Sequence, residues 1–336
     1  MRRLLGRRQN TGSQTRFLHV VLTRYNIGAF NERWLEYRQE LFESITLPSI
    51  DAQTERNFLW VLAIDSRTDE PHRKRLEALM ATRPHIRLLE VELFHDHIPE
   101  MVQWCRDEAA AAGVSHLLST RLDNDDALHS DLFARIQHHA NKVLDEDRKL
   151  PALITPTMGY QWVPAHGTGF PAFHESPSTG TTLLEPVDKL ESVFMTPHHL
   201  LPNAVSNLHG TIKAIDGDTR WWMHAATDAS LSVLQLNSFR REKTLGKKNS
   251  LKMNDEILKS FGVDAGEYLR SLPEPAFVDN HEEIIQHGKQ IDEKIKVVRA
   301  KIKKLVEDGK PEDPELTAKY EALHRERREN AASLME

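Results

Sequence analysis

The sequence predicts an α/β fold, a mostly parallel sheet flanked by helices, with a helical hairpin behind it. Three observations carry this reading. Runs apolar on both faces recur through residues 17–156, as strands buried from both sides require. Segments with apolar residues at helical spacing separate them, and such alternation builds βαβ units with right-handed crossovers. Helix-start and helix-stop residues mark the joins.

The elements follow in order. Phe17–Thr23 (FLHVVLT) is a strand-length apolar run, and Asn31 is the N-cap of a helix with Trp34, Tyr37, Leu41 and Phe42 on one face. Pro48 and Ser49 are expected to break that helix. Phe58–Ile64 (FLWVLAI) is the second strand and ends in Asp65. Pro71 starts a helix carrying Leu76, Leu79 and Met80, a position where its missing N–H costs nothing. Ile86–Leu93 is the third strand, and a helix over Pro99–Ala112 closes at Gly113. His116–Leu122 is the fourth strand, followed by Asp123-Asn124-Asp125-Asp126, a helix over 130–144 and a fifth strand at Ala152–Pro156.

Residues 157–240 are rich in Gly, Pro, Ser, Thr and aromatics, with strand-like pieces only at Ser192–Met195, Arg220–His224 and Ser232–Leu236. Loop-rich stretches on a rigid sheet commonly carry binding sites. The basic stretch Phe239–Lys252 is expected to be a mobile lid or a solvated loop. Ile291, Ile295, Val298, Ile302 and Leu305 recur at alternating steps of four and three, a heptad seam. Asp308–Pro314 then forces a turn, and Leu316, Tyr320 and Leu323 repeat the spacing on a second helix. The expected organisation is a basic disordered leader (1–16), an α/β part (17–156), a loop-rich part completing the same domain (157–280) and a hairpin or coiled-coil tail (281–336). The tail is expected to pack on the body or on a second copy of the chain.

Composition narrows the function classes. Lys and Arg total 44 against 50 Asp and Glu, a net charge of -6, without the basic excess of a nucleic-acid binder. One cysteine, Cys105, rules out an internal disulfide and a Cys-rich zinc module. Its place on an apolar helix face beside Trp104 reads as packing. No run approaches the ~18 apolar residues of a membrane span, and the leader lacks the apolar core of a signal peptide. A cytoplasmic protein is expected. Arg2, Arg3, Arg7, Arg8 and Arg16 allow peripheral contact with an anionic membrane surface, against a solvated tail.

The chemistry gathers where strands end. In an open parallel sheet ligands bind outside the carboxyl ends of the strands. Three polar sets fall there: Arg24-Tyr25-Asn26, Asp65 and the acidic cluster. Asp123 and Asp125 are one residue apart, so on an extended strand end they share a face and can hold Mg²⁺ or Mn²⁺, which complete their shells with water and phosphate oxygens. A helix cap is the simpler reading, yet one carboxylate suffices for a cap. Ala127 and Leu128 exclude an EF-hand loop. His198-His199 are expected to be a surface pair, because imidazole suits zinc better than this oxygen-rich site.

The stretch Ser119-Thr120-Arg121-Leu122-Asp123-Asn124-Asp125-Asp126-Ala127 resembles the DxD region of GT-A glycosyltransferases, and more narrowly a bacterial rhamnosyltransferase family. Thr23-Arg24-Tyr25-Asn26, Thr46-Leu47-Pro48-Ser49-Ile50 with Gln53, and Phe58-Leu59-Trp60-Val61 with Ile64-Asp65 support it, over roughly residues 17–240. The resemblance implies a GT-A-like, Rossmann-like domain and transfer of a sugar from a nucleotide diphosphate donor to a hydroxyl of a glycan or lipid-linked acceptor. It implies that Asp123 and Asp125 bind Mn²⁺ or Mg²⁺ and the diphosphate, that Arg24, Asn26 and Asp65 border the nucleotide, that Arg121 steadies the acidic loop or a phosphate, and that His224 is a further metal or phosphate contact. Glu175 and Asp228 are the general-base candidates for an inverting displacement. Two other readings stay open: a metal-dependent phosphatase or nucleotidyl hydrolase using the same acidic edge, and a non-catalytic assembly protein acting through its helical tail.

Overall fold

The computed structural model describes residues 16–27, 32–92, 97–164, 167–225, 251–264, 266, 281–308, 310–311 and 313–332. Its strands are β1 (Phe17–Arg24), β2 (Leu59–Asp65), β3 (Ile86–Val91), β4 (His116–Arg121), β5 (Ala127–Leu128), β6 (Ala152–Pro156), β7 (Met158–Val163), β8 (Thr168–Phe173), β9 (Thr182–Pro186), β10 (Thr211–Ile215), β11 (Trp222–Ala225) and β12 (Leu251–Lys252). Its helices are α1 (Glu32–Leu41), α2 (Leu47–Asp51), α3 (Glu70–Met80), α4 (His97–Ala112), α5 (Leu132–Asp145), α6 (Leu201–Asn207), α7 (Asp255–Ser260), α8 (His281–Glu307) and α9 (Pro314–Ala332).

The main sheet has seven strands in the order β10-β6-β9-β4-β1-β2-β3. Strand β9 runs antiparallel to β4 and β6, and every other pair is parallel. The period-two alternation of strands distributes side chains to two cores. Val21, Trp60, Leu62, Ile64 and Leu118 pack with Phe42, Phe133 and Ile136 on one face. Val20, Leu22, Val61, Ala63 and Leu117 pack with Met101, Cys105, Leu201 and Val205 on the other. Burial of each such side chain contributes roughly 1.5–3 kcal/mol. Cys105 is fully buried, and burial pushes its thiol up to about 12, as a packing residue requires.

A second, five-stranded sheet runs β12-β8-β7-β11-β5. Its core joins Ala127, Trp162 and Met223 to Leu35, Leu41 and Ile45 of the first helical segment and to Phe261. In α8 and α9 the predicted seam closes, with Ile291, Val298 and Leu323 buried and Arg327 Nε donating to Asp292 Oδ1 at 2.9 Å. No helix among the described residues is long and apolar enough to cross a membrane.

Three local expectations differ from the structure. Pro48 does not end the first helix. A π-turn over Phe42–Thr46 leads directly into α2, where Pro48 occupies the first turn and its missing N–H is tolerated. Strands β7 to β10 were not expected in the Gly- and Pro-rich region. Gly159 lies in β7 because a Cβ there would sit 2.1 Å from the Trp222 ring, so the glycine is a packing requirement within a strand. Ser192–Met195, expected as a strand, is a turn with Ser192 at φ 69. The pieces expected at 232–236 and 239–250 lie outside the described residues.

Candidate functional site

Strands β1, β2 and β4 are parallel neighbours, so Arg24–Asn26, Asp65 and the acidic turn share one edge. Because β9 is antiparallel to β4, the segment leading into it arrives at that edge too. Arg121 N donates to Thr181 O at 2.9 Å, and Gly180 N donates to Arg121 O at 2.8 Å.

The acidic stretch turns rather than continuing extended, with Asp126 N 3.4 Å from Asp123 O. Its three carboxylates consequently face three different environments. Asp123 is half-buried, and Arg121 Nη2 lies 3.5 Å from its Oδ1. Burial alone would raise its pKa, but Arg121, Arg24, His224 and Arg38 together hold it below the usual carboxylate range. Asp125 is buried in an ion pair with Arg38, whose other terminal nitrogen donates to Asn124 Oδ1. Asn124 Nδ2 in turn donates to Tyr25 O at 2.9 Å, tying the turn to the end of β1. Asp126 is fully buried and accepts from Thr179 Oγ1 and from Ala225 N, the latter at 3.1 Å. Burial first, then the neighbouring Asp125 and Asp123, pushes its carboxyl up to about 7. Asp126 therefore fastens β11 and the 176–181 segment to the turn. None of the three caps α5: Asp131 precedes that helix without a side-chain cap bond, and Gln53 Oε1 accepts from Phe133 N at 3.2 Å.

His224 stands on β11 opposite Gln161 of β7, with its Nδ1 3.1 Å from Gln161 Nε2. Burial alone would depress its pKa, but Asp126, Asp125 and Asp123 raise it above the ordinary histidine value. His224 thus lies in the field of the acidic turn. His198 is half-buried and close enough to Arg121 and Asp123 to feel both charges, so it is more than half of a surface pair. Its Nδ1 lies 2.7 Å from Ser176 O, and the His174 ring is 5.3 Å away.

At the end of β2, Asp65 is fully buried and held by Arg67 through two contacts of 2.8 Å. Asn26 Nδ2 donates to Thr68 Oγ1 at 2.9 Å, and its Oδ1 lies 3.4 Å from Asp65 N, joining the two strand ends. Glu175 is exposed just after β8, and its carboxylate makes no hydrogen bond among the described residues. Asp228 lies outside the described residues. The structure also brings in residues that the sequence reading missed. Arg38 carried a signal, standing three residues from both Leu35 and Leu41 on an apolar stripe. Thr179 carried none, because only the loop geometry brings it to this edge.

The fold and this edge define an α/β protein of the kind that holds its ligand where parallel strands end. Residues 11–215 match the family model described as "Putative rhamnosyl transferase", and the chain belongs to that family; it is a glycosyltransferase. No curated protein matches the sequence. Among solved structures, S. aureus TarS 1-349 is similar at 12% identity over 95% of this chain and 90% of that one, TM-score 0.34. The same S. aureus fragment in complex with UDP-GlcNAc matches at 12% over 77% and 82%, TM-score 0.36. A structure described as a putative nucleotide-diphospho-sugar transferase from Desulfovibrio desulfuricans G20 matches at 8% over 75% and 97%, TM-score 0.36. The family assignment rests on the family match.

Proposed function

We propose that this glycosyltransferase takes its sugar from a nucleoside diphosphate donor bound at the carboxyl edge of the main sheet and passes it to a hydroxyl of a glycan or lipid-linked acceptor. One observation carries the reading: Arg24, distant in sequence from Arg121 and Asp123, meets them at the edge where the parallel strands end. Donors of this class are bound in the UDP-GlcNAc complex of S. aureus TarS.

The geometry supports the following roles. Asn26 and Asp65 border the nucleoside, with Arg67 fixing the Asp65 carboxylate. Arg24 and Arg121 face the diphosphate. Among the described residues no group of three His, Cys, Asp or Glu side chains could hold a metal by itself. The donor set fits Mg²⁺ or Mn²⁺ that takes one or two carboxylates and completes its shell on phosphate oxygens. Asp123 would hold such an ion, with His224 behind it, while Asp125 is taken up by its ion pair with Arg38; when bound, the ion would supply charge neutralisation to the departing diphosphate. Arg38 holds the backbone of the acidic turn in place through Asp125 and Asn124. Glu175 or Asp228 would take the proton from the acceptor hydroxyl.

A thermal-shift screen of nucleoside diphosphate sugars, with and without Mn²⁺, tests the reading. A ligand that binds only the native state raises the melting temperature by mass action. At least one donor must stabilise the protein more than its free sugar does; a uniformly flat screen contradicts the proposal.

A further inference from the structure

Register places two arginines on one face of the main sheet. Arg121 of β4 pairs with Leu22 of β1, and Arg24 lies two residues further along β1, so both side chains leave the face that carries Leu22. There both meet one aromatic ring. The guanidinium carbon of Arg24 is 5.1 Å from the Phe194 ring centroid, and that of Arg121 is 5.0 Å from it.

The ring itself is firmly held. Phe194 is buried, on a turn whose backbone is fastened from several sides. Glu185 accepts from the N–H groups of Glu191 at 3.2 Å and Ser192 at 3.0 Å. Ser119 Oγ accepts from Val193 N at 2.9 Å, and Arg106 Nη2 donates to Leu190 O at 2.8 Å. The turn therefore presents an aromatic platform at the end of β4.

The charge balance at the platform is uneven. Among the described residues the two guanidiniums face one nearby carboxylate, Asp123, at 3.5 Å from Arg121, because Asp125 is committed to Arg38. Arg121 Nε is buried without a hydrogen-bond partner among the described residues, and Arg24 makes no side-chain hydrogen bond among them. Burial and the charge of Arg121 depress Arg24 to about 10, so the pair repels itself as it stands. An aromatic face holds each cation by its quadrupole, but it supplies no counter-charge. Guanidinium forks match the paired oxygens of a phosphate group, and a diphosphate offers both the charge and the oxygens that this pair lacks.

We propose that Arg24 and Arg121, seated on the Phe194 ring, form a holder for the donor diphosphate that works without a divalent cation. This rests on the donor reading above and adds Phe194 as its positioning residue.

The test is calorimetric titration of the full-length protein with nucleoside diphosphates, differing in base, in EDTA and again in Mn²⁺. Wild type binds at least one of them in EDTA and binds the matching monophosphate more weakly. Arg24→Gln and Phe194→Leu each weaken the EDTA affinity by at least about tenfold, the scale of a lost charge-assisted contact, while Arg24→Lys recovers part of it. Unliganded melting temperatures exclude unfolding, and Arg121→Gln replaces Phe194→Leu if the latter does not fold. Binding that requires Mn²⁺, or equal EDTA affinity in wild type and the variants, overturns the holder and leaves the donor reading standing. Absence of binding in both media overturns the donor reading itself.

Discussion

Arg38 of helix α1 reaches Asp125 across the boundary between the two sheets, and the same guanidinium also holds Asn124. Their side chains are only 10% and 6% exposed, so removing the cation strands a buried anion. Breaking such a pair from one side typically costs about 3–5 kcal/mol. Arg38→Met is expected to lower unfolding stability by that order in urea titration. Adding Asp125→Asn to it restores part of the loss. Equal stability of the single and double variants contradicts the coupling.

Asp126 links acidity to stability. Its folded-state carboxyl is raised to about 7 from an ordinary value of 3.8, mainly by burial. The folded protein therefore binds a proton that the unfolded chain has lost between those values, and stability falls as pH rises through this window. His224, also raised, contributes in the same direction from its ordinary 6.5 upward. Melting temperatures measured from pH 4 to 8 are expected to fall less steeply for Asp126→Asn than for wild type. A parallel pair of curves removes the assignment.

Gly159 tests the packing that places His224. A Cβ at this position would lie 2.1 Å from the Trp222 ring, and Trp222 is two residues from His224 on β11. Gly159→Ala should cost about 1–3 kcal/mol by overpacking, read as a lower midpoint in chemical denaturation. An unchanged midpoint shows that β11 shifts freely, against the tight packing seen here.

Glu175 and Asp228 divide the general-base question between them. If Glu175 takes the acceptor proton, Glu175→Gln lowers kcat by roughly 10²–10⁴-fold with donor affinity unchanged. An unaltered kcat removes Glu175 from that role.

Much of this was legible in the chain because burial on both faces leaves an unmistakable apolar run, as in Phe58–Ile64, and because the heptad seam of the tail depends on spacing alone. The convergence of Arg24, Asp65 and Asp123 was legible for the same reason, since parallel topology gathers strand ends. The second sheet was legible only at β11, where Arg220–His224 reads as a strand. Its other strands are spelled with Gly159, Gly169 and Pro171, and the two glycines stand where a Cβ would strike Trp222 and Met253. Separate destinations for Asp123, Asp125 and Asp126 were also hidden, because the backbone turns where an extended end was expected and long-range partners at Arg38 and Thr179 decide each case. Phe194 is invisible for a related reason: its role is set by Glu185 and Ser119 holding a turn that local propensity reads as a strand.

The most direct measurement is steady-state sugar transfer with Mn²⁺ and the donor found in the thermal-shift screen, comparing wild type with Asp123→Asn. The account predicts a fall in kcat/KM of about a hundredfold or more, the scale of a lost charge-stabilising group, with the unliganded melting temperature preserved. Wild-type turnover in Asp123→Asn would contradict it, since the carboxyl edge of the sheet would then not be where the diphosphate departs.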